Sequence, residues 1–340
     1  MQRAIQLAKQ GKYSVAPNPR VGAVVVHNNT IIGEGYHAKF GEAHAEVNAI
    51  ASVRDQSLLS KSTLYVTLEP CSHSGKTPPC VDLILAHKIP QVVICNKDPF
   101  DQVDGSGIKI LAENGVEVIT SILEERGREL NKRFFTFHEQ KRPYIILKWA
   151  ETSDGFISRE KAAIAGSNNW ITNALSKQLV HQWRAEEQAI LVGKNTVETD
   201  NPQLDCREFE GNNPIRLIID PSCQLDSSKL VFNAAAKTIV FNERQSSQKG
   251  NIEYVQLEFG KNFMKAFNNF CYERQIQSAF VEGGRYTLSQ FIASDNWDEC
   301  RVFKGKTKFG DGVLVPDFKG ALRAEQQLNE DHLSIYYRRH

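Results

Sequence analysis

Three zinc-type donors constrain this chain more than any other feature: His44 in His44-Ala45-Glu46, Cys71 in Pro70-Cys71, and Cys80. To hold one ion, three separate stretches of chain must converge on one point. Zinc takes neutral imidazole and thiolate, and three protein ligands leave one tetrahedral position open to water. The metal lowers that water's pKa towards about 7. Glu46 is not needed as a ligand; a carboxylate there can move a proton from water to a departing amine. A closed structural site is the competing arrangement, with His73 as a fourth ligand and no place for water. Glu46 argues against it, because a structural site has no use for that carboxylate.

Local sequence sets these donors at helix starts. Thr63 to Leu68 is rich in β-branched and apolar residues and predicts a buried strand, with Glu69-Pro70-Cys71 leaving its end. Proline suits a helix's first turn, so Pro79 before Cys80 predicts a helix continuing through Val81 to His87. His44 stands before a helical stretch through Val47, Ile50 and Val53. Both ligand groups then lie where the positive end of a helix dipole favours thiolate and hydroxide.

A histidine two residues before a glutamate, then Pro-Cys and a second Cys, is the known signature of zinc-dependent nucleobase deaminases. Many cytidine and tRNA-adenosine deaminases have two residues between the cysteines; here eight intervene, Ser72 to Pro79. That loop, together with Pro17-Asn18-Pro19-Arg20-Val21-Gly22 and Lys97-Asp98-Pro99, closely resembles the bifunctional deaminase/reductase family of bacterial riboflavin biosynthesis. The resemblance implies zinc-dependent hydrolytic deamination of a phosphoribosylamino-diaminopyrimidinone. Asn18, Lys76 and Thr77 would hold that substrate, and NADPH would then reduce its ribosyl group to ribityl.

A chain of 340 residues is long for one average domain, and two are expected. The hydrophobic fraction of 41% is enough for ordinary cores. A formal net charge of +1 gives no basic field for a polyanion, so a small-molecule pyrimidine ribose phosphate is expected as substrate rather than nucleic acid. No apolar stretch approaches the roughly 20 residues that span a bilayer, and the first residues predict an amphipathic helix rather than a secretion signal. Seven cysteines, two of them assigned to metal, fit a reducing cytoplasm better than a disulfide framework. The resemblance suggests a homodimer.

Strands are expected over residues 21–27, 31–36, 63–68, 91–95 and 116–119, separated after the first pair by helical segments, with one long amphipathic helix from Leu123 to Glu139. The polar run His138 to Pro143 is the expected boundary, since the residue before proline disfavours helix. Beyond it, strands are expected at 144–150, 189–192, 215–219, 238–241, 279–281 and 301–303. Helices are expected at 177–184 and 263–272, and a surface loop at 246–250. The fold class expected is α/β: residues 1–142 as a zinc-dependent deaminase domain and 143–340 as a reductase domain. By resemblance the first is a cytidine-deaminase-like α/β/α layered domain and the second dihydrofolate-reductase-like.

Alone, the second half is less explicit, since it lacks Gly-x-Gly-x-x-Gly after a strand. Val281-Glu282-Gly283-Gly284-Arg285 is the nearest substitute, joining an apolar strand to a helix whose start suits phosphate. The resemblance extends over Lys148-Trp149-Ala150, Ser153-Asp154-Gly155, Trp170-Ile171-Thr172, Arg184-Ala185, Gly193 to Val197, Asp200 to Leu204 with Arg207, and Pro214-Ile215-Arg216. It implies that Ala150, Trp170, Thr196, Asp200 and Gly284 contact NADPH. It likewise implies that Asn168, Arg184, Leu204, Arg207 and Glu282 line the substrate pocket. Arg184 and Arg207 carry planar forks suited to a phosphate, and Lys148 is a catalytic group that would polarise or protonate near the carbon accepting hydride.

Three residues depart from the family pattern: Asn168 stands where a small Ser is usual, Asn201 replaces an Asp and Asp205 a Thr. The segment Lys304 to Gly310 is also more basic than expected. Two other functions fit parts of the chain: a cytidine or tRNA-adenosine type deaminase with an inactive C-terminal domain, and a zinc-stabilised binding module.

Overall fold

Alternation along the second half of residues 21–27 builds the first layer of the structure. Val24 packs to one side of its strand, and Ala23 and Val25 to the other, the period of two that buries both faces of a sheet. The computed structural model describes residues 1–12, 14–72, 78–100, 105–159 and 170–339. Two compact units divide it, Met1–Lys141 and Arg142–His340. Arg142 joins the second unit through a two-armed pair with Asp298, at 2.6 and 2.7 Å.

The first unit runs α1 (Gln2–Ala8), β1 (Gly22–His27), β2 (Thr30–Tyr36), α2 (Ala45–Ala51), β3 (Thr63–Leu68), α3 (Cys80–Ala86), β4 (Gln91–Asn96), α4 (Ser106–Glu113), β5 (Glu117–Ile119), α5 (Glu124–Leu130) and α6 (Lys132–Gln140). Its sheet has the order β2-β1-β3-β4-β5. β1 is antiparallel to β2 and β3, while β3, β4 and β5 are parallel. α2, α3 and α4 pack Ala49, Ile84 and Leu111 on one face. α1, α5 and α6 supply Ile5, Leu130 and Phe134 to clusters on the other side. Close approach fixes α2: a Cβ on Gly35 would lie 2.3 Å from the Ala49 backbone nitrogen.

The single long helix expected from Leu123 to Glu139 is two. It breaks at Asn131, whose backbone (φ −113°, ψ 26°) leaves the helical region. The Asn131 amide instead accepts from the Arg20 backbone N–H and donates to the Arg20 carbonyl, both at 2.9 Å. Asparagine competes with helix by such bonds.

The second unit runs β6 (Tyr144–Glu151), β7 (Phe156–Ser158), α7 (Ala174–Glu186), β8 (Ala189–Gly193), α8 (Lys194–Asp200), β9 (Ile215–Ile219), β10 (Thr238–Asn242), β11 (Ser247–Lys249), β12 (Ile252–Gln256), α9 (Phe263–Glu273), β13 (Ser278–Val281), α10 (Arg285–Ala293), β14 (Glu299–Lys304), β15 (Val313–Leu314), β16 (Gly320–Leu328) and β17 (Asp331–Arg338). Ten strands form one sheet in the order β11-β12-β10-β9-β8-β13-β6-β14-β17-β16. The stretch from β12 to β14 is parallel. Phe267 of α9 and Phe291 of α10 pack with Ile145 and Leu147, while Trp183 of α7 packs with Ile146 and Phe280 on the opposite face. The loop expected at 246–250 contains β11, which pairs antiparallel with β12. All three of its residues are exposed, so no alternation of apolar residues marks it.

Glu69 fixes the strand end that carries Cys71. Its buried carboxylate accepts from the backbone N–H groups of Asp98, Gly105, Gly107 and Ile108 at 3.0–3.3 Å. Gly107 lies against Pro70 so closely that a Cβ would fall 2.2 Å from the Pro70 carbonyl. Glu69→Ala should therefore lower the first unit's unfolding free energy by about 3 kcal/mol, since several buried donors lose their acceptor. It should also reduce zinc retention after dialysis. Chemical denaturation together with metal analysis checks both.

Candidate functional site

The metal-type donors converge as three separate chain ends. His44 is the N-cap of α2, Cys80 the first residue of α3, and Cys71 follows the end of β3. Their donor atoms all lie within 4.8 Å of one another. His44 Nδ1 is 3.5 Å from Cys71 Sγ and 3.3 Å from Cys80 Sγ. A tetrahedral zinc with ordinary bonds separates its N and S ligands by about 3.5–3.8 Å, so the donor set and its spacing fit zinc. The start of α3 is tied to the same point. The Cys80 N–H donates to Cys71 Sγ at 3.3 Å, and the Val81 N–H to the Cys71 carbonyl at 3.2 Å. Hydrogen bonds from Cys80 and His44 hold the Cys71 thiol well below its usual range, while the hydrogen bond to Cys71, and then burial, push Cys80 up. A dication removes that competition, because both sulfurs can then bind as thiolates.

Glu46 is 3% exposed and within hydrogen-bonding reach of Cys80. Burial, with the Cys71 charge second, raises its carboxyl to about 7, the range in which a carboxyl both takes and gives a proton. Asn18 stands nearby through His37: Asn18 Nδ2 is 3.1 Å from His37 Nε2, and His37 Nδ1 is 3.1 Å from the Ala43 carbonyl. The His37 ring meets the edge of His44 at 5.6 Å. Sequence reasoning missed His37, since a lone histidine at a strand end carries no spacing signal. His73, Lys76 and Thr77 lie outside the described residues.

In the second unit, strand register brings Lys148 and Glu282 together. Leu147 of β6 pairs with Val281 of β13, and the next residue on each strand is Lys148 and Glu282. Their charged ends are 4.0 Å apart. Arg184 reaches Glu282 from α7 with two parallel bonds of 2.8 Å each. Its fork is thus committed to a carboxylate, whereas the sequence suggested a phosphate. The remaining Nη1 donates to the Asp205 carbonyl at 3.2 Å. Burial alone would raise Glu282; Arg184 and Lys148 outweigh it and hold the carboxyl at about 2. Burial lowers Lys148, only partly offset by Glu282.

Leu204 turns the chain towards this cluster. It is buried yet holds a left-handed φ of 52°, uncommon for a bulky residue. Asp205 follows and pairs with Arg207. Asn201 has a local reason: it caps α8 at φ 41° and its Oδ1 accepts from the Leu230 N–H at 2.9 Å. Lys304 and Lys306 pair with Glu151 and Glu330. Asn168 lies outside the described residues.

The expected NADPH residues gather less tightly. Gly193 and Gly284 are the N-caps of α8 and α10. Thr196 joins the two helix starts, its hydroxyl accepting from the Gly284 N–H at 3.1 Å. A Cβ on Gly283 would lie 2.7 Å from the Thr287 side chain, so the glycine keeps this turn low. No side chain caps α10, and its first N–H groups suit a phosphate; the turn fits a dinucleotide. Ala150 is half-buried in β6, and Asp200 ends α8. Trp170 is 52% exposed, with the Lys177 ammonium 5.4 Å from its ring.

Comparison with known proteins gives a family for each half of the chain. Residues 143–331 match the RibD C-terminal domain, and residues 1–96 the cytidine and deoxycytidylate deaminase zinc-binding region. The riboflavin biosynthesis protein RibD of Aquifex aeolicus is 39% identical over all of this chain and 98% of its own length. That of Bacillus amyloliquefaciens is 38% identical over 98% of this chain and 91% of its own. A solved diaminohydroxyphosphoribosylaminopyrimidine deaminase/5-amino-6-(5-phosphoribosylamino)uracil reductase from Thermotoga maritima superposes with a TM-score of 0.88 at 39% identity, covering 99% of this chain and 97% of that one. Acinetobacter baumannii RibD gives 0.89 at 30%, over 100% and 98%. Matches over the whole chain displace the idle-reductase and binding-module alternatives. The two units are cytidine-deaminase-like and dihydrofolate-reductase-like. The chain belongs to the RibD family of riboflavin biosynthesis, bifunctional enzymes that join a zinc-dependent deaminase domain to an NADPH-dependent reductase domain.

Proposed function

We propose that His44, Cys71, Cys80 and Glu46 carry the deamination, and that Lys148, Arg184 and Glu282 serve the reduction of the ribose-phosphate side chain. The supporting observation is a buried carboxylate two residues from one of three soft donors that share one ion's reach. Bound there, zinc supplies the Lewis acidity that ionises water near neutral pH. Glu46 takes the proton from that water and passes it to the departing amine, so that ammonia leaves neutral. Asn18, oriented by His37, holds the pyrimidine together with Lys76 and Thr77.

In the second domain NADPH supplies the hydride. Ala150, Trp170, Thr196, Asp200 and Gly284 line its site, and the amides at the start of α10 receive phosphate. Arg184, Leu204, Arg207 and Glu282, with Asn168, line the substrate pocket. Glu282 holds the Lys148 ammonium at its strand end, and Lys148 supplies the proton that accompanies hydride. Seven free cysteines among the described residues support a cytoplasmic enzyme, and no described helix is long and apolar enough to cross a membrane. Family resemblance supports a homodimer.

Glu46→Gln should lower ammonia release by about 10²–10⁴-fold while zinc stays bound and NADPH oxidation with the deaminated intermediate is unchanged. Loss of zinc would make Glu46 a ligand. Lys148→Gln should do the reverse, slowing NADPH oxidation and sparing ammonia release.

Glu282 also sets an acid limit. Its folded pKa, about 2, lies below the ordinary 4.5, so its stabilising contribution is present above 4.5 and is lost as pH falls towards 2. Glu282→Gln should destabilise the second domain by about 3–5 kcal/mol at pH 7 by leaving Arg184 and Lys148 unpaired. It should also flatten the fall in thermal midpoint between pH 4.5 and 2 that scanning calorimetry records for the unaltered protein.

A further inference from the structure

His181 lies between two contacts that join α7 to the turn after Leu204. Lys177, His181 and Arg184 are four and three residues apart and share one helical face. Lys177 pairs with Glu208 on one side of the ring, and Arg184 donates to the Asp205 carbonyl on the other. The ring is 2% exposed, and its Nδ1 is buried without a hydrogen-bond partner. Buried polar atoms are rarely left so. Nothing in the roles assigned above uses it.

Charge balance shows what the ring can do. Arg184 acts on it from its own helix, and Asp205, Arg207 and Glu208 from the turn; Lys177 joins the cluster through Glu208, and Glu282 and Lys148 through Arg184. Four cations face three carboxylates. A phosphate monoester is close to a dianion at pH 7.5, and its arrival tips the group to one net negative charge. Among the described residues of this cluster, His181 is the one histidine, and one proton on it restores neutrality. Burial and the two arginines keep it neutral beforehand.

We propose that His181 belongs to the phosphate-binding wall of the reductase, taking one proton from solvent as the substrate's phosphate enters and donating a charge-assisted hydrogen bond to it. The inference rests on the assignment of this pocket to a ribose-phosphate substrate and adds a residue to it. Arg207, whose side chain is 45% exposed, is the second donor. Arg184 acts behind them, because its fork is held by Glu282.

Calorimetry on the full chain tests this with ribose 5-phosphate as probe, at pH 7.5, with NADP⁺ saturating its own site, in two buffers of different ionisation enthalpy. The expected result is uptake of between half and one proton per site in the unaltered protein and none in His181→Asn. Kinetics give a second readout. In His181→Asn the KM for the phosphorylated intermediate should rise about tenfold, with kcat within twofold and NADPH affinity unchanged. The dephosphorylated intermediate should show the same KM with both proteins. Equal proton uptake in the two proteins, or an equal loss with the dephosphorylated compound, would overturn the role of His181 and leave the pocket assignment standing. If the unaltered enzyme neither binds ribose 5-phosphate nor distinguishes the two intermediates, the pocket assignment itself fails and His181 with it. His181→Gln repeats the series should the asparagine variant fold poorly.

Discussion

Convergence on one ion governs the first domain. An imidazole and two thiolates can share a dication only if their donor atoms come within a few ångströms, and each stands at a chain end: two helix starts and one strand end. Each end therefore needs its own support. Gly35 lets α2 press onto β2. Glu69 gathers four backbone N–H groups and fixes the turn before Cys71. Glu46 is buried in the first turn of the helix whose N-cap is His44. Its raised carboxyl follows from that position, and so does its suitability for moving a proton.

The second domain solves a different problem with the same economy of chain. A parallel sheet delivers β6, β8 and β13 side by side, and ligands of such sheets bind beyond the strands' carboxyl ends. There a single register step sets Lys148 beside Glu282. Buried charges need partners, and Arg184 from α7 supplies one with two bonds. The same carboxylate thus anchors a helix to the sheet and partly offsets the lowering that burial imposes on Lys148.

Much of this was legible in the residues, for reasons that differ between the halves. Metal chemistry admits few residue types and spacings, so His44, Cys71, Cys80 and Glu46 stood out as candidates, and the three donors do lie within 4.8 Å of one another. The strands expected at 63–68 and 144–150 were visible because buried strands of a parallel sheet are largely apolar. The break at Asn131 was hidden, since it depends on Arg20, more than a hundred residues away. β11 was hidden because neither of its faces is buried. The commitment of Arg184 to Glu282 joins two distant segments and leaves no local mark. The spacing of Lys177, His181 and Arg184 was a signal that could have been used, although it shows only a shared face, not what lies opposite.

The central claim is that the ion at His44, Cys71 and Cys80 has three protein ligands and a solvent oxygen. X-ray absorption at the zinc edge of the purified protein tests it most directly. The account predicts two sulfurs at about 2.3 Å and two lighter atoms at about 2.0–2.1 Å, with the scattering pattern of one imidazole. Two imidazoles or a third sulfur would mean a closed structural site and would contradict it.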